Sequence, residues 1–554
     1  MNEVRLNPLD TAWLFTESRA TPNHVGGLLL FRLPEQAPRE FLSRLMSDFR
    51  AHRRFGPPWN QRLKVPFTKN PLPSWVTEND ADIDLEYHLR HAALPWPGGE
   101  RELGELIGRL QSTPIDLTRP PWECTLIEGL EDGRFAMFVK MHHALIDGIS
   151  GMKLLQRAMC DDADASVTMP PFWDTSTSAE APAEPQPRRS GRSTKGRKGA
   201  ASVAASMAAS VAASVAADGA VQAVASVANA AQAGVNQLVP TLAAATAAAM
   251  EGLSLQAKAL PQLAAAFGQI LRRIGDPSDG LAVPFDAPRS SLNGRVREKR
   301  RFATQQFEMA RLRAVAQAVG CTLNDVVLSL CGGALRRFLA ERGELPDKSL
   351  TAGIPVSVRP ADDEGTGNAI SFIVATLGTD VEDPLARLQA VRSSVQHAKA
   401  HLQSLSRPVM QQYTLLLMAP TLLTLLTGIG GRTPPMFNIT ISNVPGPEQP
   451  LYFRGAQLLS IYPASIVTHG QALNITCESY NGQMNFGFTG CHASLPSLQK
   501  VAVYAAEALQ ELEALLLPAP KPETMPKPRR RSSPSSSDDQ PVRAPRRRKG
   551  TDNL

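Results

Sequence analysis

Phe135-Ala136-Met137-Phe138-Val139-Lys140-Met141-His142-His143-Ala144-Leu145-Ile146-Asp147-Gly148 is the stretch from which the rest of this chain is read. Its first half is an apolar run dense in aromatic and β-branched side chains, the pattern of a buried strand. The run ends in two adjacent histidines. Asp147-Gly148-Ile149-Ser150 then reads as the opening of a helix, with Asp147 in an ordinary cap position. Neighbouring side chains in an extended segment point to opposite faces, so one imidazole is expected to face a cavity and the other the protein. An unperturbed imidazole titrates near ~6.5, which makes the cavity-facing ring a candidate base at neutral pH. Zinc is the competing use of paired histidines. Adjacent strand residues diverge, and no further ligand follows at a metal-like spacing, so no metal is expected.

At 554 residues the chain is too long for one core and is expected to hold two globular regions with connecting material. Its 43% hydrophobic and 20% charged residues are those of a globular protein. The net charge of +6 is unevenly spread: residues 518–554 carry ten Lys/Arg and four Asp/Glu, a surplus equal to that of the whole chain. A second basic cluster lies at Arg188, Arg189, Arg192, Lys195, Arg197 and Lys198. The remainder is mildly acidic, so no specific nucleic-acid surface is expected. The six cysteines are scattered without a CxxC pair, which favours reduced thiols in a cytoplasmic setting. Met1 to Pro8 lacks the apolar core of a signal peptide, and no secretion is expected.

Residues 1–165 alternate short apolar runs with helical patterns and form the first expected domain. A basic linker at 166–199 follows, Ser/Thr/Pro/Ala-rich from about 174 and read as disordered. Residues 200–290 form an Ala-rich insert of helical composition, with Asp218 the sole charge between Ala200 and Met250. A packing helix, a helix lying on a membrane or lipid droplet, and a true span remain open for it. A second globular region at 296–515 offers strands at 350–358 and 436–444 and a helix at 322–341. The uncharged stretch Tyr413–Ile429 is read as a buried or interface-lying helical pair broken at Pro420, not as a span. The tail, 518–554, is Pro/Ser/Arg-rich and expected to be disordered.

The histidine stretch carries HHxxxDG, the signature of the CoA-dependent acyltransferase superfamily, which includes chloramphenicol and carnitine acetyltransferases and peptide-synthetase condensation domains. Further segments narrow the resemblance. They are Pro8-Leu9-Asp10, Asn23-His24-Val25-Gly26-Gly27, Pro114-Ile115-Asp116-Leu117-Thr118-Arg119-Pro120-Pro121-Trp122-Glu123, Leu323-Asn324-Asp325-Val326, Pro355-Val356-Ser357-Val358-Arg359, Ile441-Ser442-Asn443-Val444-Pro445-Gly446-Pro447 and Ala472-Leu473-Asn474-Ile475-Thr476. In this order they resemble the bacterial wax ester synthase/diacylglycerol acyltransferase family across both globular regions. Pro121 replaces a leucine of that pattern, and Gly490-Cys491-His492 departs from the family's Gly/Cys-Asp-Arg. The insert and the tail are not covered.

The resemblance implies an α/β (α+β) fold of two chloramphenicol acetyltransferase-like domains with a channel between them. It implies an O-acyltransferase that moves a fatty acyl group from acyl-CoA to diacylglycerol or a long-chain alcohol. His143 would be the general base, His142 its support, and Asp147 and Gly148 structural members of the site loop. Arg359 is the candidate partner of Asp147, and Asn324 a candidate oxyanion donor. Asp325 fits equally a helix capping box with Thr322. Trp122 is read as packing. No cofactor is implied, since acyl-CoA is a substrate. Peripheral contact with the inner membrane face or a lipid droplet is expected from the cytoplasm. The rivals are a condensation-type or polyketide-associated acyltransferase with a carrier-bound donor, and a non-enzymatic lipid-droplet or membrane-binding protein.

Overall fold

The computed structural model describes residues 3–6, 8–64, 73–175, 282–357, 370–426 and 428–517. The expectations for linker residues 176–199, insert residues 200–281, the tail 518–554 and Arg359 lie outside the described residues.

Strand β7 (Arg134–His142) is where the fold begins. Phe135, Met137, Val139 and Met141 sink into one apolar core, while Ala136 and Phe138 on the other face join a second. Burial on both faces is why the run reads as almost continuously apolar. Both edges are also paired antiparallel, to β2 (His24–Arg32) and β6 (Trp122–Glu128). With β5 (Leu89–Ala93), β12 (Tyr452–Phe453) and β13 (Ala456–Ala464) these make a six-stranded sheet in the order β12-β13-β2-β7-β6-β5. Helices α1 (Pro8–Phe15), α2 (Phe41–Ala51), α3 (Leu85–His88), α4 (Glu100–Ser112) and α5 (Gly148–Gln156) belong to this half. So does a small sheet of β1 (Glu3–Arg5), β4 (Ser74–Thr77) and β3 (Gln61–Leu63).

The second sheet runs β10 (Ile370–Thr376), β9 (Thr351–Ser357), β11 (Ile439–Val444), β14 (Leu473–Tyr480), β15 (Gln483–Cys491) and β8 (Arg300–Glu308). β11 is parallel to both neighbours and the other pairs are antiparallel. Helices Leu323–Glu341, Pro384–Gln403 and Gln499–Leu516 supply much of its core. The two expected strands and the expected helix of this region fall where the sequence placed them.

The domains are not cleanly consecutive. β12 and β13 come from the C-terminal region yet complete the N-terminal sheet, and Phe453, Leu458 and Ile461 are buried in its core. In return α4 lies against β8, so closely that a Cβ on Gly108 would stand 2.9 Å from the Arg300 carbonyl oxygen. The boundary expected at 165 is also too early. Phe172 and Trp173 pack against Trp59 and Trp122, so the chain is folded at least to Thr175. The Ser/Thr/Pro composition nearby masked two aromatic anchors.

The helical pair expected at Tyr413–Ile429 is one helix, Arg407–Leu426, which continues through Pro420. Val409, Tyr413 and Leu417, four residues apart, enter the core together. Among the described residues no single helix is long and apolar enough to cross a membrane.

Candidate active site

β7 ends at His142, directly opposite His24 of β2. His142 lies on the Ala136/Phe138/Lys140 face and is 1% exposed. Its Nδ1 accepts from the Ala144 N–H at 3.1 Å, which places the ring proton on Nε2, 3.4 Å from the Glu17 carboxylate. The same Glu17 oxygen accepts from the backbone N–H of Asn23. His142 is thus held between its own turn and the segment after α1.

His143 is the first residue past the strand and is half-buried. Its N–H donates to the Asn23 carbonyl at 2.9 Å. Its ring stacks on Trp13 of α1, centroids 4.5 Å apart and planes 30° apart. Nδ1 is sealed from solvent and has no hydrogen-bond partner among the described residues. Burial pushes the imidazole down to about 4, against the opposing pull of its own carbonyl and of the Asp147 carboxylate. The ring is therefore neutral at pH 7.

Asn23, fully buried, ties this arrangement together: its Nδ2 donates to the Trp13 carbonyl at 2.7 Å and to Thr16 Oγ1 at 2.9 Å. Next to it, His24 pairs with Gln111 through Nε2 and the Gln111 carbonyl at 3.0 Å. Lys140 is buried, and its ammonium is satisfied by the carbonyls of Leu110 and Thr113 and by Glu123 at 3.1 Å. Trp122, fully buried, donates to the Trp59 carbonyl and stacks on His88 at 4.3 Å, a packing role.

Asp147 is the N-cap of α5, accepting from the Ser150 N–H at 2.8 Å and the Ser150 hydroxyl at 2.9 Å. At Gly148 a Cβ would meet nothing within 4 Å, so the helix start opens on free space. Further along α5, Met152, Lys153 and Gln156 line a cavity of about 200 Å³ together with Val444, Pro445, Gly446, Pro447 and Glu478. The Ser442–Pro447 motif of one half thus meets the helix that leaves the histidine motif of the other.

Asp325 closes a capping box on Thr322, and neither it nor Asn324 hydrogen-bonds the histidine loop among the described residues. Trp13 and Glu17 were missed by sequence reasoning. Both lie near the Pro8-Leu9-Asp10 and Asn23-His24 motifs, and that proximity was the available signal. Among the described residues no group of three or more His, Cys, Asp or Glu could hold a metal ion, and all six cysteines are free.

The sequence matches the wax ester synthase/diacylglycerol acyltransferase catalytic domain over residues 6–251 and 231–327. It matches the WS/DGAT C-terminal domain over 366–513. The chain belongs to the wax ester synthase/diacylglycerol acyltransferase family. It is 44% identical over 514 residues to a Mycobacterium tuberculosis protein that carries a diacylglycerol O-acyltransferase name, covering 92% of this chain and 97% of that one. The O-acyltransferase WSD of Acinetobacter baylyi is 35% identical over 512 residues, with the same coverage. Among solved structures, the wax ester synthase/diacylglycerol acyltransferase of Marinobacter aquaeolei VT8 superposes with a TM-score of 0.66 at 34% identity, covering 93% of this chain and 99% of that one. The α/β architecture in two interlocked halves is therefore that of the WS/DGAT family, and this family member is an acyltransferase.

Proposed function

We propose that this WS/DGAT-family enzyme transfers a fatty acyl group from acyl-CoA to the hydroxyl of diacylglycerol or a long-chain alcohol, with His143 as general base. The observation that carries this reading is the neutral, half-buried His143 ring, clamped by Trp13 and Asn23 at a strand end. With Nδ1 sealed, Nε2 is the nitrogen left to meet a substrate. Nε2 takes the proton of the acceptor hydroxyl as its oxygen attacks the thioester carbonyl carbon. The tetrahedral adduct then collapses, the C–S bond breaks, and the imidazolium returns the proton to the departing coenzyme A sulfur. No cysteine stands beside the base in this reading, and no acyl-enzyme is needed.

His142 braces the turn from the protein side through Glu17, and Asp147 holds the start of α5. No cofactor takes part, and acyl-CoA is consumed as substrate. Both acceptors are lipids, so the enzyme works in peripheral contact with a membrane or lipid-droplet surface on the cytoplasmic side.

The test is coenzyme A release by full-length His143→Ala with palmitoyl-CoA and hexadecanol or diacylglycerol. Removal of a general base is expected to cost ~10²–10⁴-fold in turnover. Near-wild-type turnover would remove His143 from the mechanism.

A further inference from the structure

Glu478 of β14 is 1% exposed, and both of its carboxylate oxygens are buried without a hydrogen-bond partner among the described residues. A carboxyl group in that position is costly unless something satisfies it. It lines the cavity of about 200 Å³ between α5 and the Val444–Pro447 turn. A water occupies ~30 Å³ of liquid volume, so the space suits a ligand segment of several heavy atoms. The turn lies hard against the residue: a Cβ on Gly446 would stand 3.3 Å from Glu478 Oε1, and the Gly446 N–H donates to Ser479 Oγ at 3.0 Å. Opposite Glu478 in the β14–β15 pairing stands Asn485, fully buried, whose Nδ2 also has no partner among the described residues.

The position of the cavity relates it to the chemistry. At 1.5 Å per residue, Met152 to Gln156 lie ~6–12 Å along α5 from Gly148, one substrate segment away from the histidine loop.

We propose that Glu478 is a positioning residue of the transfer reaction, hydrogen-bonding a neutral hydroxyl- or amide-bearing segment of a substrate seated in this cavity. The inference rests on the acyl-transfer reading above. A buried carboxyl group lowers its cost by taking a proton, and burial pushes Glu478 up to about 8. The neutral acid then presents one donor and one acceptor, which complements an alcohol or an amide and not a phosphate. Lys153 of α5 is the charged side chain that shares the cavity, and it is exposed at its edge. The partner group is either the free hydroxyl region of the acceptor lipid or an amide of the acyl-CoA arm.

Full-length Glu478→Gln and Glu478→Leu separate the possibilities, with folding checked by thermal melting. KM and kcat are measured with palmitoyl-CoA varied against hexadecanol or diacylglycerol, and then with the acceptor varied. Glu478→Leu is expected to raise one KM about tenfold with a smaller change in kcat, the size of a lost hydrogen bond. A shift in the palmitoyl-CoA KM assigns the amide, and a shift in the acceptor KM assigns the hydroxyl. Glu478→Gln, which keeps a donor and an acceptor, is expected to stay within about threefold of wild type at pH 7. The wild-type KM should rise from pH 7 to 9 while that of the Gln variant stays flat.

A folded Glu478→Leu with both KM values within twofold of wild type overturns the inference, as does a folded Gln variant that fails to restore them. Should the Leu variant not fold, identical pH profiles for wild type and Glu478→Gln overturn it instead. Calorimetric titration of palmitoyl-CoA and of decanol into wild type and the variants reads the same contact without turnover. Wild-type enzyme without turnover defeats the acyl-transfer reading, whereas unchanged Kd values for both ligands defeat the role of Glu478.

Discussion

The rings of His142 and His143 are one residue apart, and Glu17, Trp13 and Asn23 put them in different environments. His142 accepts a hydrogen bond at Nδ1 and has the Glu17 carboxylate 3.4 Å from Nε2, whereas His143 has a backbone clamp and a stacked face. Stacking of this kind contributes ~0.5–1.5 kcal/mol beyond area burial. Trp13→Ala is therefore expected to lower kcat/KM by a few-fold to about tenfold, with Trp13→Phe recovering most of it in the coenzyme A release assay. Full activity in a folded Trp13→Ala chain would show that the stack does not hold the base. With His143 in the proposed role of base, the same burial sets the pH response of the reaction. Because His143 titrates near 4 and not at its ordinary 6.5, kcat/KM should hold through pH 6 and fall only toward pH 5 and below. An acid limb centred at 6.5 would count against the buried-ring picture.

Helix α5 connects the histidine loop to the second half of the molecule. Its start depends on Asp147, which caps Ser150 twice; removing such a cap costs ~0.5–2 kcal/mol. Asp147→Ala is expected to melt at a lower temperature and to lose activity in step, because the loop carrying His143 loses its anchor. Asp147→Asn keeps an acceptor oxygen at the cap and should recover both. If Asn recovers the melting temperature but not the activity, the charge of Asp147 matters beyond capping, as an ion pair with Arg359 would require. The helix also sits close to its strand. A Cβ at Gly151 would stand 2.6 Å from Met141 Sδ, so a larger residue there would have to displace the Met141 side chain that packs beneath α5.

Over the whole chain, stability at acid pH follows from imidazoles buried in the neutral form. His24, His88 and His143 all lie below the ordinary 6.5, with burial the leading cause, and His88 and His143 stand at about 4. The unfolded chain therefore binds more protons than the folded one between about 6.5 and 4, and stability is lost as pH falls through that window. The melting temperature is expected to drop steadily from pH 7 to pH 4.5 in differential scanning fluorimetry. A flat profile would mean that these rings gain solvent or partners in solution. Glu478 acts in the opposite sense: its folded pKa is raised, so its contribution is lost as pH rises from 4.5 toward 8.

Local pattern was enough for the short-range elements of the candidate site and its surroundings. The apolar run to Met141, the cap at Asp147 and the capping box at Thr322–Asp325 are short-range features, and each sits where periodicity and hydrogen-bonding chemistry put it. The collinear motifs were likewise sufficient for the family. What they could not carry was partnership across distance. Trp13 meeting His143, Glu17 bridging His142 and Asn23, Tyr452–Ala464 completing the other half's sheet, and Glu478 facing α5 all join residues far apart in the chain, or set apart by a turn that periodicity does not see. Such contacts arise when buried faces must find complementary surfaces and polar atoms must find partners. That requirement acts on the folded chain as a whole and leaves no periodic trace in its sequence.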